Sequence, residues 1–148
     1  TVGMPEARRM ISGHRVTDLH VHIQPWEMHP PQVQHAMESG RADLDRIRDF
    51  MRSPKSFLDF LDENGIERVG LINYVAPDVM GFTAEVNDWC ARYAAAAPNR
   101  LIPFGSVNPR FTNDPAGETL RVLDLGIRAL KIHPPHQLFS VNDWPGSA

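Results

Sequence analysis

Four short runs of branched and other apolar residues divide this chain, and segments with helical spacing lie between them. The runs occupy residues 15–23, 67–75, 101–107 and 127–133. In the first run, polar and apolar side chains alternate, which is typical of a strand with one covered face. Strands that alternate with helices of about 10–15 residues predict βαβ units in a parallel sheet with right-handed crossovers. The sequence therefore predicts an α/β fold.

Residues with special backbone preferences mark where the helices between these strands begin and end. Ser53 and Asp114 each precede a proline, and this pairing is typical of an N-cap followed by the first helical residue. Gly65 and Gly126 are expected to close the same two helices in the left-handed conformation. Thr83 is expected to cap the helix that lies between them in the chain.

The remaining segments follow from proline content and from helical periodicity. Residues 24–42, with three prolines, predict a long loop, and residues 43–51 predict a short helix. The side chains predicted to face the core are Leu44, Ile47, Met51, Phe57, Leu58, Leu61, Val86, Trp89, Cys90, Tyr93, Ala94, Ala97, Leu120 and Leu123.

Composition excludes several classes of function. The formal net charge of −3 gives no basic surface for nucleic acid or for an anionic membrane. No uncharged apolar run reaches the roughly 18 residues that a membrane span needs, and the first fifteen residues lack the apolar segment of a signal peptide. The single cysteine, Cys90, excludes an internal disulfide and is expected to be a buried, inert thiol. We therefore expect a cytoplasmic protein.

The strongest chemical signal lies at the end of the first predicted strand, in the sequence Asp18-Leu19-His20-Val21-His22. Residues two apart in a strand point to the same side, so two imidazoles would project together and could bind one divalent cation. Asp18 shares this face and could orient a ligand histidine. The alternative is a polar sheet edge with two solvated histidines. The metal-binding interpretation is favoured over the sheet edge, because parallel α/β folds have their functional sites at the carboxyl ends of strands.

A second signal lies at the end of the fourth predicted strand, around Lys131 and His133. These two side chains should share one face and converge on the histidine pair, where they could act as catalytic residues. Lys131 could carry a carbamate, bind a substrate carboxylate, or only pair with an acidic neighbour such as Asp18. His136 and Gln137 follow in a loop and are expected either to contact substrate or to lie on the surface.

Other polar residues give weaker signals. His29 and His35 lie in the segment predicted to be a loop, and we expect solvated side chains, with a lid over the site as the alternative. Asn73 lies at the end of the second strand, and Ser106 and Asn108 lie at the end of the third; all three could line the site or cap backbone groups. The chain has no Gly-rich phosphate loop, no G-x-S-x-G nucleophile motif and no zinc-type cysteine cluster.

Taken together, DLHVH at 18–22 and GIRALKIHPPHQ at 126–137 resemble the amidohydrolase superfamily, with weaker support from FGSVNP at 104–109. The likeness is closest to the amidohydrolase-related branch that includes aminocarboxymuconate-semialdehyde decarboxylase-like enzymes. It implies a TIM (β/α)8 barrel of metal-dependent hydrolase type, with residues 1–148 as the N-terminal half of one barrel domain. It also implies a divalent metal, zinc or a similar ion, bound by His20 and His22, with the remaining ligands supplied by later strands.

The function implied is hydrolysis of a small, carboxylated molecule by a metal-activated water. A decarboxylase or hydratase on the same scaffold is an alternative, since many relatives in this branch are lyases. A histidine-metal phosphoesterase and a non-catalytic half-barrel are two others. A chain of 148 residues is too short to close a barrel that needs about 200 residues or more. We therefore expect a small-molecule substrate and either a homo-oligomer or a missing C-terminal half.

Overall fold

The computed structural model describes residues 10–143. Its strands are β1 (Met10–Ile11), β2 (His14–Val21), β3 (Ile66–Leu71), β4 (Leu101–Gly105) and β5 (Ala129–Leu130). Its helices are α1 (Pro31–Glu38), α2 (Leu44–Arg52), α3 (Pro54–Glu63), α4 (Pro77–Met80), α5 (Glu85–Ala94), α6 (Pro115–Asp124) and α7 (Pro134–Gln137), with 3-10 turns at Trp26–Met28 and Val141–Asp143.

The five strands form one sheet in the order β1-β2-β3-β4-β5, and β2 to β5 run parallel. The parallel part curls like half of a barrel. The predicted parallel α/β architecture is therefore confirmed, with α3, α5 and α6 in the connections between its strands. All four parallel strands direct their carboxyl ends to the same edge of the sheet, so the residues that follow them are brought together.

The hairpin at the start of the sheet was not predicted. Residues of β1 pair antiparallel with the beginning of β2, and Ser12 and Gly13 make the turn with φ of 51° and 79°. Two successive positive φ angles are typical of the tight turns that join antiparallel strands. The signal in the sequence was the Ser-Gly pair, since glycine adopts positive φ without strain.

The main core lies between the sheet and the helices on its outer face. Val69, Leu71 and Leu101 come from the strands, and Phe57 and Leu61 come from α3. The helix α5 adds Cys90, Tyr93 and Ala94, as its predicted apolar stripe requires. Capping by Ser53 and Asp114 is confirmed, because each side chain accepts a hydrogen bond from the backbone amide three residues later. Gly65 and Gly126 have positive φ, as predicted.

The prediction of an uninterrupted loop at residues 24–42 was wrong. The segment contains the turn Trp26–Met28 and the helix α1, which begins at Pro31. Proline is well suited to the first helical position, since the amide that it lacks would have no partner there. The helix was missed because the prolines were interpreted only as residues that interrupt helices. Among residues 10–143, no helix is long and apolar enough to cross a membrane.

Two further local predictions were wrong. Thr83 does not cap α5 with its side chain, because the N-cap residue is Ala84 and only the backbone carbonyl of Thr83 accepts from Val86. The regular strands are also shorter than predicted, since pairing ends at Leu71 and Gly105. Residues 72–76 and 106–108, which follow these points, are buried, so the length of an apolar run reflects burial rather than strand length.

Helix α6 uses a different face from the one predicted. Leu120 and Leu123 are 61% and 37% exposed, whereas Val122 is fully buried against the backbone of Gly105. Leu19, on the predicted apolar face of β2, is also exposed, at 57%. Among residues 10–143, no element fully covers Leu19, Leu120 or Leu123.

Candidate functional site

His20 in β2 and His22, which follows the strand, lie side by side at its carboxyl end. Their Nε2 atoms are 3.1 Å apart, and the ring centroids are 5.0 Å apart. The strand is irregular between Asp18 and Val21, and there Asp18 Oδ1 accepts a hydrogen bond of 2.9 Å from the backbone amide of His20. The predicted proximity of His20 and His22 is thus confirmed. Asp18 acts on the backbone at this point and makes no hydrogen bond to an imidazole.

The distance between the two Nε2 atoms suits ligands of one metal ion. Nitrogens that each lie about 2.05 Å from a tetrahedral zinc ion are separated by about 3.3 Å. As placed, Gln24 Nε2 faces His22 Nδ1 at 3.2 Å, so Nδ1 accepts and Nε2 of His22 carries the proton. Metal binding through Nε2 requires the other tautomer, in which the Gln24 amide is turned and its oxygen accepts from Nδ1–H. Gln24 can therefore hydrogen-bond to either tautomer of His22.

A second group of rings lies across the mouth from the histidine pair. Tyr74 follows β3, and its ring lies 6.4 Å from that of His22 and 5.0 Å from that of His133. The Tyr74 hydroxyl makes a hydrogen bond of 2.8 Å with Nδ1 of His136. His133 and His136 contact each other edge to face at 4.3 Å. His22, His133 and His136 are thus arranged around one buried tyrosine.

The electrostatics of the mouth follow from this crowding. Burial lowers the pKa of His22, and the nearby positive charges of His20, Lys131 and His133 lower it further. Burial also lowers the pKa of His133, with further contributions from His136, Lys131 and His20. His22 and His133 lie on either side of the Tyr74 ring, and the charge of Lys131 acts on the pKa of both. At neutral pH His22 and His133 are therefore held in the neutral form that binds metals and accepts protons.

The described residues do not complete a metal site. Within residues 10–143, no group of three or more His, Cys, Asp or Glu side chains is close enough to hold a metal ion. His20 and His22 supply two nitrogens, and a catalytic zinc site usually has three protein ligands. The metal-binding role predicted for the pair therefore stays a prediction, as do the catalytic roles of Lys131 and His133.

Gln137 lies inside the fold, away from the open mouth. It is fully buried, and its Nε2 donates to Val75 O, Ser106 Oγ and Val107 O at 3.1–3.2 Å. Its Oε1 accepts from the backbone amide of His133 at 2.7 Å. The side chain links α7 to the ends of β3 and β4, and we leave it out of the proposed substrate contacts. His136 remains in the site, half-buried beside Tyr74.

Other residues at the strand ends also make structural contacts. Asn73 Nδ2 donates to Ile23 O, and Asn108 Nδ2 donates to Val75 O. His29 was expected to be solvated, yet it is only 2% exposed, and its Nδ1 donates to the carbonyl of Met80 at 3.0 Å. His35 is exposed on α1, as expected.

Sequence reasoning missed Tyr74 and Gln24. Tyr74 lies in an apolar run, where an aromatic residue is usually part of the core, and nothing local indicated its contact with His136, 62 residues later. Gln24 had a weak signal, since it continues the two-residue spacing of His20 and His22. Its side chain contacts the ring of His22, as the spacing allows.

A cavity of about 260 Å³ adjoins the histidine pair. It lies between the end of β2 and the helices α1, α2 and α3, and His22, Gln24, Trp26, Arg41 and Phe50 are among its lining residues. We call it the Arg41 cavity. It places the candidate metal ligand His22 at the wall of a partly open space that is large enough for a small molecule.

Comparisons with known proteins identify no relative of this chain: no family model, no curated protein and no solved structure matches it.

Proposed function

We propose that this chain provides the first half of a metal-dependent hydrolase barrel, acting on a small carboxylated molecule. The observation that carries the proposal is the 3.1 Å separation of the His20 and His22 Nε2 atoms at the carboxyl end of a parallel strand. It suits two ligands of one divalent ion, and strand carboxyl ends are where such barrels keep their sites. The resemblance of the DLHVH and KIHPPHQ segments to the amidohydrolase-related branch supports the same assignment.

When bound, a divalent ion supplies polarisation of a carbonyl and a lower pKa of a bound water. The chain's own residues prepare the surroundings. Burial raises the pKa of Tyr74, so its hydroxyl stays protonated. This hydroxyl can donate a hydrogen bond to an oxygen of the substrate or to Nδ1 of His136. Lys131 adds a positive charge beside His22 and can bind an anionic group of the substrate. His133, kept neutral, can accept a proton.

Two histidines alone bind a metal weakly, so the proposal has a quantitative consequence for this chain. The resemblance assigns the other ligands to strands after the fourth, and a homo-oligomer is the alternative source of further groups. We expect the 148-residue chain to bind zinc with an affinity far below that of a complete three-ligand site, and to show no hydrolase turnover by itself.

The test is a zinc titration of the purified chain by calorimetry, with His20→Ala and His22→Ala as the site variants. Each should weaken binding by about tenfold or more, since one of two ligands is lost. His35→Ala is the matched control, because His35 is an exposed histidine of α1 outside the site. Equal binding by wild type and His20→Ala would show that the histidine pair is only a polar sheet edge. Turnover by the chain alone would contradict the half-barrel assignment.

A further inference from the structure

The walls of the Arg41 cavity are mainly apolar. Ile47, Phe50, Met51 and Phe57 come from α2 and α3, and Met37 comes from α1. An apolar cavity of about 150 Å³ is large enough to hold a benzene ring. The volume of about 260 Å³ therefore fits a ring or a branched aliphatic group with a short polar extension. A ligand body of that kind would be held by apolar contact.

The polar groups of the cavity include one unneutralised positive charge. The neighbouring arginines Arg48 and Arg52 are paired with Glu38 and Glu27. Arg41 is different, since its guanidinium has no ion pair or hydrogen bond among residues 10–143. An arginine that lines an apolar space without a carboxylate partner offers a planar, fixed set of donors to an anionic ligand.

Trp26 adds an aromatic side chain to the same lining. It is only 4% exposed, so its ring is held in place by the surrounding residues. A fixed indole ring beside the cavity favours a ligand with an aromatic or branched apolar body, through ring contact.

We propose that the Arg41 cavity binds a monocarboxylic acid with an aromatic or branched apolar body, whose carboxylate pairs with Arg41. Because His22 lines the same cavity, this acid is the substrate class of the hydrolase proposed above, and that assignment rests on the proposed function. The binding itself does not, since it uses Arg41, Trp26 and the apolar walls. A single guanidinium and a largely apolar lining favour a carboxylate over a phosphate, which carries more charge and more oxygens to satisfy.

The probe is 3-phenylpropionate, titrated by calorimetry in the presence of EDTA, with the indole N–H resonances followed by NMR. The expected result is saturable binding to the wild type with a shift of the Trp26 indole resonance. The uncharged 3-phenylpropanamide and the small anion acetate should both bind at least tenfold more weakly, since each lacks one of the two recognised features. Inorganic phosphate should not compete.

Arg41→Gln should weaken 3-phenylpropionate binding about tenfold or more, through loss of a charge-assisted hydrogen bond. Arg41 is exposed, so the substitution leaves the core intact. Arg92→Gln is the matched control, because Arg92 is an exposed arginine of α5 that does not line the cavity. Absence of binding, or equal binding by wild type and Arg41→Gln, would overturn this proposal. Either result leaves the zinc titration untouched, since EDTA removes any metal from this experiment.

Discussion

Replacing Gln137 with leucine tests whether this residue holds the site together from within. The substitution keeps the approximate volume and removes four hydrogen-bond contacts of the amide, three of which share the two N–H groups of Nε2. Val75 O keeps a partner, because it also accepts from Asn108. The buried Val107 O and Ser106 Oγ each lose the bond from Gln137. At about 1–3 kcal/mol for each of these two unsatisfied buried groups, we expect the free energy of unfolding to fall by about 2–6 kcal/mol.

The assay is urea unfolding at neutral pH, followed by circular dichroism, with the midpoint and the slope compared for wild type and variant. Gln32→Leu is the matched control, since Gln32 is an exposed glutamine of α1, and we expect a change within about 0.5 kcal/mol for it. The same small change in Gln137→Leu would refute the reasoning. It would show that Gln137 is not a structural link and would restore it as a candidate for substrate contact.

Three further predictions concern backbone strain, pH and thiol reactivity. Gly81→Ala should lower the free energy of unfolding by about 2–4 kcal/mol, because φ is +77° there and a Cβ would lie 2.3 Å from Met28 O. Gly40→Ala is the control: φ is also +77°, but nothing lies within 4 Å of the added Cβ, so we expect a loss of only about 1 kcal/mol. Equal urea midpoints for the two variants would contradict this prediction. Burial lowers the pKa of His29 below 6.5, so the unfolded chain binds a proton that the folded chain does not. The contribution of neutral His29 to the free energy of unfolding should therefore be fully present above pH 6.5 and should be lost as the pH falls below it. Unfolding midpoints measured from pH 5 to 8 should depend less on pH in His29→Leu than in the wild type. Burial raises the pKa of Cys90 to about 11, so a thiol reagent at pH 8 should modify it only as fast as the chain unfolds, and rapid modification of the native chain would contradict the burial.

Local rules were sufficient for several features of this protein. The capping residues Ser53 and Asp114 were predictable because each contact spans three residues of the same helix turn. The same is true of Gly65 and Gly126, whose positive φ is a property of the residue. The meeting of His20 with His22 was also a local prediction, and their spacing was sufficient in spite of the irregularity in β2.

Features that depend on contacts between distant segments were decided by the tertiary structure. The hydrogen bond between Tyr74 and His136 joins residues 62 positions apart, and no periodicity encodes it. The burial of Gln137 depends on the ends of β3 and β4. Likewise, helical spacing placed Leu120 on an apolar stripe, but its exposure depends on whether another layer packs against α6.

The Arg41 cavity shows the same division within one site. The sequence determined that His22 lies near the carboxyl end of a strand and that α2 and α3 each have an apolar side. It did not determine that these helices would leave a space beside His22, or that Arg41 would line it without a carboxylate partner. Backbone preferences act over a few residues and are written in the sequence, whereas a cavity and its charges arise from how separate elements pack, which depends on the whole set of contacts at once.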